Sequence, residues 1–226
     1  MMTNKKSRVL LFCTSYIEDM DSWRNRYARW LSHHRQLAGD ECVMCFIDDG
    51  SPYVPNKQTL PVYTSLDGLS PAVKGPFMFR FEERLGRSGL LSYPGWWRSF
   101  LASASIARAL SCDKIIHVES DAYLFSRKMF RGLLGLEYGW WAAWCESQAF
   151  PESALQVICS DQFGALRLLS QRDPTTFCNM TAERFLPFTG ILKQFTGDRY
   201  SEFRSTIPKN ADFAVQILPD QKIWIR

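Results

Sequence analysis

Three short apolar runs most narrow what this chain can fold into. Arg8 to Thr14, Cys42 to Ile47 and Lys114 to Val118 each stop at polar, turn-forming residues. Continuous apolar runs of that length suit strands covered on both faces. Between them the period changes. Trp23, Tyr27, Trp30, Leu31 and His34 fall at helical spacing, with Arg24, Arg26, Arg29 and Arg35 elsewhere on the wheel and Gly39 as the stop. Trp96 to Leu110 repeats that pattern, with Phe100, Ala104, Ala107 and Leu110 on one stripe. Strand-like and helix-like segments in alternation predict an α/β fold, a sheet flanked by helices.

The remaining segments fill in around this frame. Leu60 to Thr64, led by Pro61, reads as an edge strand. Residues 65–95 are rich in Gly, Pro and Ser and read as loops beside a site. Ser126 is the expected N-cap of a helix ending near Gly135. Trp140 to Cys145 reads as a strand on which two adjacent tryptophans must face opposite sides, so one meets a site or a covering loop. Phe150-Pro151-Glu152 reads as a turn, and Ser160 as the cap of a helix from Asp161 to about Leu169. Asp212 to Leu218 and Lys222 to Ile225 read as closing strands. At 226 residues the chain is expected to form a single domain.

Composition excludes several classes. With 46% hydrophobic and 22% charged residues, this is not a disordered, collagen-like or coiled-coil chain. No apolar run nears the roughly 18 residues that span a bilayer, and Val9 to Cys13 is too short for a secretory core, so a cytoplasmic location is expected. The seven cysteines sit mostly in apolar runs, the place of small buried hydrophobes. Cys42 and Cys45 lack a second pair at zinc spacing. A net charge of +4 without a dense basic block argues for no nucleic acid and suits an anionic small molecule. Lys5, Lys6 and Arg8 offer peripheral contact with the inner face of an anionic membrane.

Ligands of open α/β sheets sit beyond the carboxyl ends of the strands. Two such ends here are acidic: Asp48-Asp49-Gly50-Ser51 and Glu119-Ser120-Asp121. Glu119 and Asp121 share a face if the strand continues, and paired carboxylates suit a hard cation, Mn²⁺ or Mg²⁺. Asp48 and Asp49 also suit a plain turn. Arg80, Arg84, Arg87 and Arg98 lie in or beside the irregular stretch, with Arg84 and Arg98 the preferred phosphate ligands. His117, among Ile and Val, is expected to be a buried, hydrogen-bonded residue.

Taken in order, over roughly residues 8–170, these segments resemble the GT-A fold of nucleotide-sugar glycosyltransferases. The resemblance rests on Asp48-Asp49-Gly50-Ser51 after the second strand, and on the helix 96–110 before a strand ending in Glu119-Ser120-Asp121, at the place of the family's Asp-x-Asp. It implies a nucleotide-binding mixed sheet, with a sugar-nucleotide half over 8–125 and an acceptor half over 126–226. It implies a nucleoside-diphosphate sugar donor, a glycan or lipid-linked acceptor, Asp121 and Glu119 on the metal, and Ser120 beside the diphosphate. Thr14, Ser15, Tyr16, Asp48 and Asp49 would border the nucleotide. Asp161 would be the catalytic base, with Glu152 as its rival. Glu119 stands where the family has Asp, and no histidine follows His117 to serve as a late metal ligand. Two other readings compete: a nucleotidyltransferase of sugar metabolism, whose Gly-rich basic first loop is missing from Cys13 to Asp19, and a non-catalytic transferase-like binding module.

Overall fold

The computed structural model describes residues 7–56, 58–178, 180–202 and 206–226. Lys5 and Lys6, two of the three charges suggested for membrane contact, lie outside them. Arg8 is committed elsewhere, its guanidinium holding the Pro71 and Val73 carbonyls.

The strands in chain order are β1 (Val9–Ser15), β2 (Cys42–Asp48), β3 (Val62–Tyr63), β4 (Phe77–Arg80), β5 (Lys114–Val118), β6 (Tyr123–Leu124), β7 (Trp140–Cys145), β8 (Phe150–Cys159), β9 (Gly190–Leu192), β10 (Gly197–Asp198) and β11 (Phe213–Ala214). Eight form one mixed sheet in the order β3-β4-β2-β1-β5-β8-β7-β9, while β10, β11 and β6 form a small second sheet. β1 runs parallel to β2 and β5, and β4 runs parallel to β2 and β3. β8 is antiparallel to β5 and to β7. The carboxyl ends of β1, β2, β4 and β5 therefore share one edge of the sheet with the beginning of β8.

The helices are α1 (Met20–Ser22), α2 (Arg29–Ala38), α3 (Pro94–Ala109), α4 (Arg127–Gly135), α5 (Phe163–Ser170) and α6 (Ala182–Phe185). α1 runs into α2 through a π-helical stretch, Trp23–Ala28. Pro94 opens α3 at the position where a missing N–H costs nothing. Ser126 caps α4 by accepting the Met129 N–H. Gly39 ends α2 at φ 54°, a conformation costly for any residue with a Cβ.

Alternation along β1 shows how the sheet is covered. Val9, Leu11 and Cys13 join Trp30, Met129, Phe130 and Phe213 on one side. Leu10 and Phe12 join Trp97, Phe100, Ile106 and Leu166 on the other. Cys42 and Cys45 fall in opposite layers and cannot chelate one ion. Trp140 is fully buried, and the ring of Trp141 lies against Gly190, its neighbour on the edge strand β9 of the same sheet.

Four expectations need correction. The stretch 65–95 contains β4, a four-residue strand inserted beside β2 that has no periodicity of its own to reveal it. Phe150-Pro151-Glu152 is not a turn but the start of β8, where Pro151 faces Trp144 of β7. Ser160 does not cap a helix: a 3-10 turn over Ser160–Gln162 precedes α5, without a side-chain cap. Of the closing strands, only Phe213–Ala214 pairs. The tail docks instead by stacking Trp224 on Phe125 at 4.6 Å and by the Arg226 N–H to the Phe125 carbonyl.

α2 carries two buried imidazoles. His33 Nε2 lies 2.7 Å from the Leu124 carbonyl, and His34 Nδ1 2.9 Å from the Trp30 carbonyl. Burial lowers both pKa values, His34 the more strongly. The native state withholds protons that the unfolded chain binds below about pH 6.5, so stability falls as pH falls from there. We expect urea midpoints to drop between pH 6.5 and 5, as the unfolding free energy falls by up to about 1.4 kcal/mol per pH unit for each histidine. His34→Gln should make the dependence shallower. A midpoint flat to pH 5 would contradict it.

Candidate functional site

A cleft of about 810 Å³ opens at the shared strand edge. Its walls include Thr14, Ser15 and Tyr16 from the end of β1, Asp49 after β2, Glu119, Ser120 and Asp121 after β5, and Glu152 at the start of β8. Among the described residues, four arginines also line it: Arg26, Arg84, Arg87 and Arg199. Of the residues named from the sequence, it thus gathers Thr14, Ser15, Tyr16, Asp49, Arg84, Arg87, Glu119, Ser120, Asp121 and Glu152.

Glu119 is the most heavily engaged of these. It takes both contacts of the Thr14 hydroxyl, at 3.0 and 2.9 Å, the Trp96 indole N–H and His117 Nε2 at 3.0 Å. His117 is held in turn: Gln156 Nε2 lies 3.4 Å from its Nδ1, and Gln156 accepts the Trp140 indole N–H at 2.8 Å. His117 is therefore the buried, bonded residue expected, and it orients Glu119. Burial works to raise the Glu119 pKa, but His117, Trp96 and Thr14 outweigh it and hold the carboxyl below its ordinary range.

Asp121 stands two residues on, in the turn after β5. Arg26 reaches it from the π-helical stretch, with Nη2 3.0 Å from Oδ2, while Arg26 Nε donates to Ser120 Oγ at 2.7 Å. Burial raises the Asp121 pKa, Arg26 opposes that, and Glu119 adds to it. Tyr27, next to Arg26, pins the stretch to β1: its hydroxyl donates to the Tyr16 carbonyl and accepts the Tyr16 N–H. Burial pushes the Tyr27 phenol up to about 12, so it stays protonated.

The Asp48-Asp49 pair divides. Asp48 is fully buried and closes the turn through Ser51 N–H and Ser15 Oγ, with Arg80 at 3.7 Å. It is a turn residue and does not reach the cleft. Asp49 does reach it, but as an anchor for the loop opposite, taking Gly86 N–H at 2.7 Å and Leu85 N–H at 3.3 Å. Arg98, expected on a phosphate, is spent on Asp49 and on the Glu83 carbonyl. Arg84 lines the cleft, where it stacks over the Tyr16 ring at 3.6 Å and donates to its hydroxyl at 2.7 Å. Gly95 packs so tightly beneath this loop that a Cβ would strike the Asp49 carboxylate and lie 2.8 Å from the Gly86 nitrogen. Gly95→Ala should therefore cost about 1–3 kcal/mol in urea unfolding, the scale of an overpacked site. An unchanged midpoint would show that the loop yields freely.

Asp161 is not brought to the site. Because β8 runs antiparallel to β5, its carboxyl end lies at the opposite edge, where Cys159 pairs with Lys114. There the Asp161 carboxylate accepts the Gly139 N–H. Glu152, its rival, does line the cleft, yet its oxygens are taken by Arg199 at 2.6 and 3.1 Å and by the Ala154 N–H at 3.0 Å. A register shift between β7 and β8 at Ala142/Ala143 re-aims this stretch, as bulges beside sites do.

Five contributors went unread in the sequence. Arg26 sat among the polar positions of a helical wheel. Arg199 lies in a stretch without periodicity. Glu183, on α6, accepts the Ser153 hydroxyl at 2.7 Å, and its side chain is 18% exposed. Ser99 lines the cleft with a buried hydroxyl that has no partner among the described residues. Gln216 lines it at φ 61°, a rare setting for a residue with a side chain. Only its strained backbone, visible in the structure, marks it.

The donor set does not fit a divalent cation. Glu119 offers a carboxylate already bonded to three side-chain donors, and Asp121 offers one already paired with Arg26. Among the described residues, no group of three His, Cys, Asp or Glu side chains is arranged to hold a metal ion. No helix among them is long and apolar enough to cross a membrane.

No protein-family model matches the chain, and no curated protein matches it in sequence. Solved structures do match in shape. The apo-form glycosyltransferase GlyE of Streptococcus pneumoniae TIGR4 superposes with a TM-score of 0.53 at 12% identity, over 96% of this chain. This chain spans 56% of that protein. A glycosyltransferase involved in glycosylation of the major capsid of PBCV-1 gives 0.48 at 10% identity, over 92% of each chain. The mixed sheet with flanking helices is thus a GT-A-like fold.

Proposed function

We propose that this chain is a glycosyltransferase that moves a sugar from a nucleoside diphosphate to the hydroxyl of a glycan acceptor. The observation that carries this reading is the cleft itself. It gathers arginines and aromatic rings at the carboxyl ends of parallel strands, where open α/β sheets bind nucleotides. Tyr16 and Arg84 offer a ring and a cation to the nucleoside. Arg26 and Arg84 supply the positive charge that a departing diphosphate requires. Glu152, Glu183 and Arg199 border the remaining space, where the sugar and acceptor would meet. Glu183 is our choice for the carboxylate that takes the acceptor proton, since it is partly exposed and 3.6 Å from Arg199, whereas Glu152 is fully buried and held by it at 2.6 Å. The GT-A-like fold supports the same assignment.

The test is thermal unfolding with UDP, GDP, CDP and ADP, followed by sugar transfer from the matching donors. A ligand at one hundred times its Kd adds about 2.7 kcal/mol, which raises Tm by roughly 5–10 °C in a chain of this size. One nucleotide should do so. If none raises Tm, the reading fails.

A further inference from the structure

Glu119-Ser120-Asp121 stands where a metal-binding pair was expected, yet a side chain already occupies the cation's place. Arg26 spans the motif, donating from Nε to Ser120 Oγ and from Nη2 to Asp121 Oδ2. Nη1 has no acceptor among the described residues, and the side chain, which lines the cleft, is 45% exposed. Three features fix it there. The π-helical turn, a distortion that recurs at functional sites, sets where residue 26 emerges. Tyr27 ties that turn to the end of β1. Two hydrogen bonds of normal length hold the planar fork against the motif.

A metal ion would have to undo much of this. At Asp121 it would displace Arg26. At Glu119 it would compete with the Thr14 hydroxyl, the Trp96 indole and His117, whose donors would then lie buried and unpaired. Conversely, Arg26 offers what a diphosphate needs, a fixed positive charge with an N–H left to donate.

We infer that Arg26 takes the metal's part in donor binding, so that this cleft holds the diphosphate of a nucleotide without a divalent cation. The inference rests on the proposed nucleotide site and deepens it. Asp121 then serves to position Arg26 rather than to coordinate an ion.

The experiment is isothermal titration of the full chain with UDP, GDP, CDP and ADP, in EDTA and again in MnCl2. Wild-type protein should bind its nucleotide with affinities in the two buffers agreeing within about threefold. Arg26→Ala should weaken binding in EDTA by at least tenfold. Arg26→Lys keeps the charge but not the fork, and should fall between. It also serves if Arg26→Ala fails to fold. Binding that requires Mn²⁺ would overturn the inference while leaving the nucleotide site standing. Unchanged affinity in a folded Arg26 variant would overturn it as well. No binding in either buffer would overturn the site and the inference together.

Discussion

Arg199→Ala should cost the fold about 3–5 kcal/mol, the penalty for removing one partner of a buried ion pair. Glu152 is fully buried, and Arg199 meets it with two N–H donors at 2.6 and 3.1 Å. The same guanidinium stands 3.2 Å from Glu202 and 3.6 Å from Glu183. Without it, the buried Glu152 carboxylate is left beside Glu183 with no cation between them. At 2–4 °C per kcal/mol, Tm should fall by roughly 6–20 °C. Glu152→Gln should cost less. Its neutral amide still offers an oxygen to Arg199, which keeps its other two acids. This ordering separates two roles for Glu152. An anchor for Arg199 loses stability on amidation, whereas a free catalytic base would lose turnover and leave the fold intact. A loss under 1 kcal/mol for Arg199→Ala, measured by urea unfolding, would show that the network is solvated and not structural.

The same network marks where sequence reasoning stopped. β5 and β7 were legible to the residue, because each is a short, mostly apolar run bounded by turn residues. β1 and β2 were legible nearly so. The acids at their ends were legible as well, since turns need them. Their directions were not. Asp48 and Asp49 read as one pair, but adjacent residues leave a strand on opposite sides, and only Asp49 meets the cleft. Asp161 was placed by its order in the chain. Whether β8 runs up or down is decided by which strand it pairs with, and an antiparallel partner moved Asp161 to the far edge. The four residues of β4 carry too little pattern to stand out among loops. Arg26 looked like a solvated charge because the helix was read at 3.6 residues per turn, and a π turn breaks that count.

Glu119 offers the sharpest contrast between the two accounts of its motif. A metal ligand is held ready for its ion, so Glu119→Ala would spare the fold and abolish metal-dependent binding. The bonding points the other way. Thr14, Trp96 and His117 converge on this carboxylate from β1, α3 and β5, so it ties three elements together at the floor of the cleft. Glu119→Ala strands three donors in a buried setting, each costing about 1–3 kcal/mol when left unpaired. We expect a total loss of about 3–5 kcal/mol, less than the sum because neighbours relax. Glu119→Gln keeps one acceptor oxygen but turns an amide N–H₂ toward a donor, and should lose roughly half as much. The measurement is urea unfolding of both variants, in EDTA and in MnCl2. Losses equal in the two buffers identify a structural anchor. A Glu119→Ala protein as stable as wild type would restore the carboxylate to the metal.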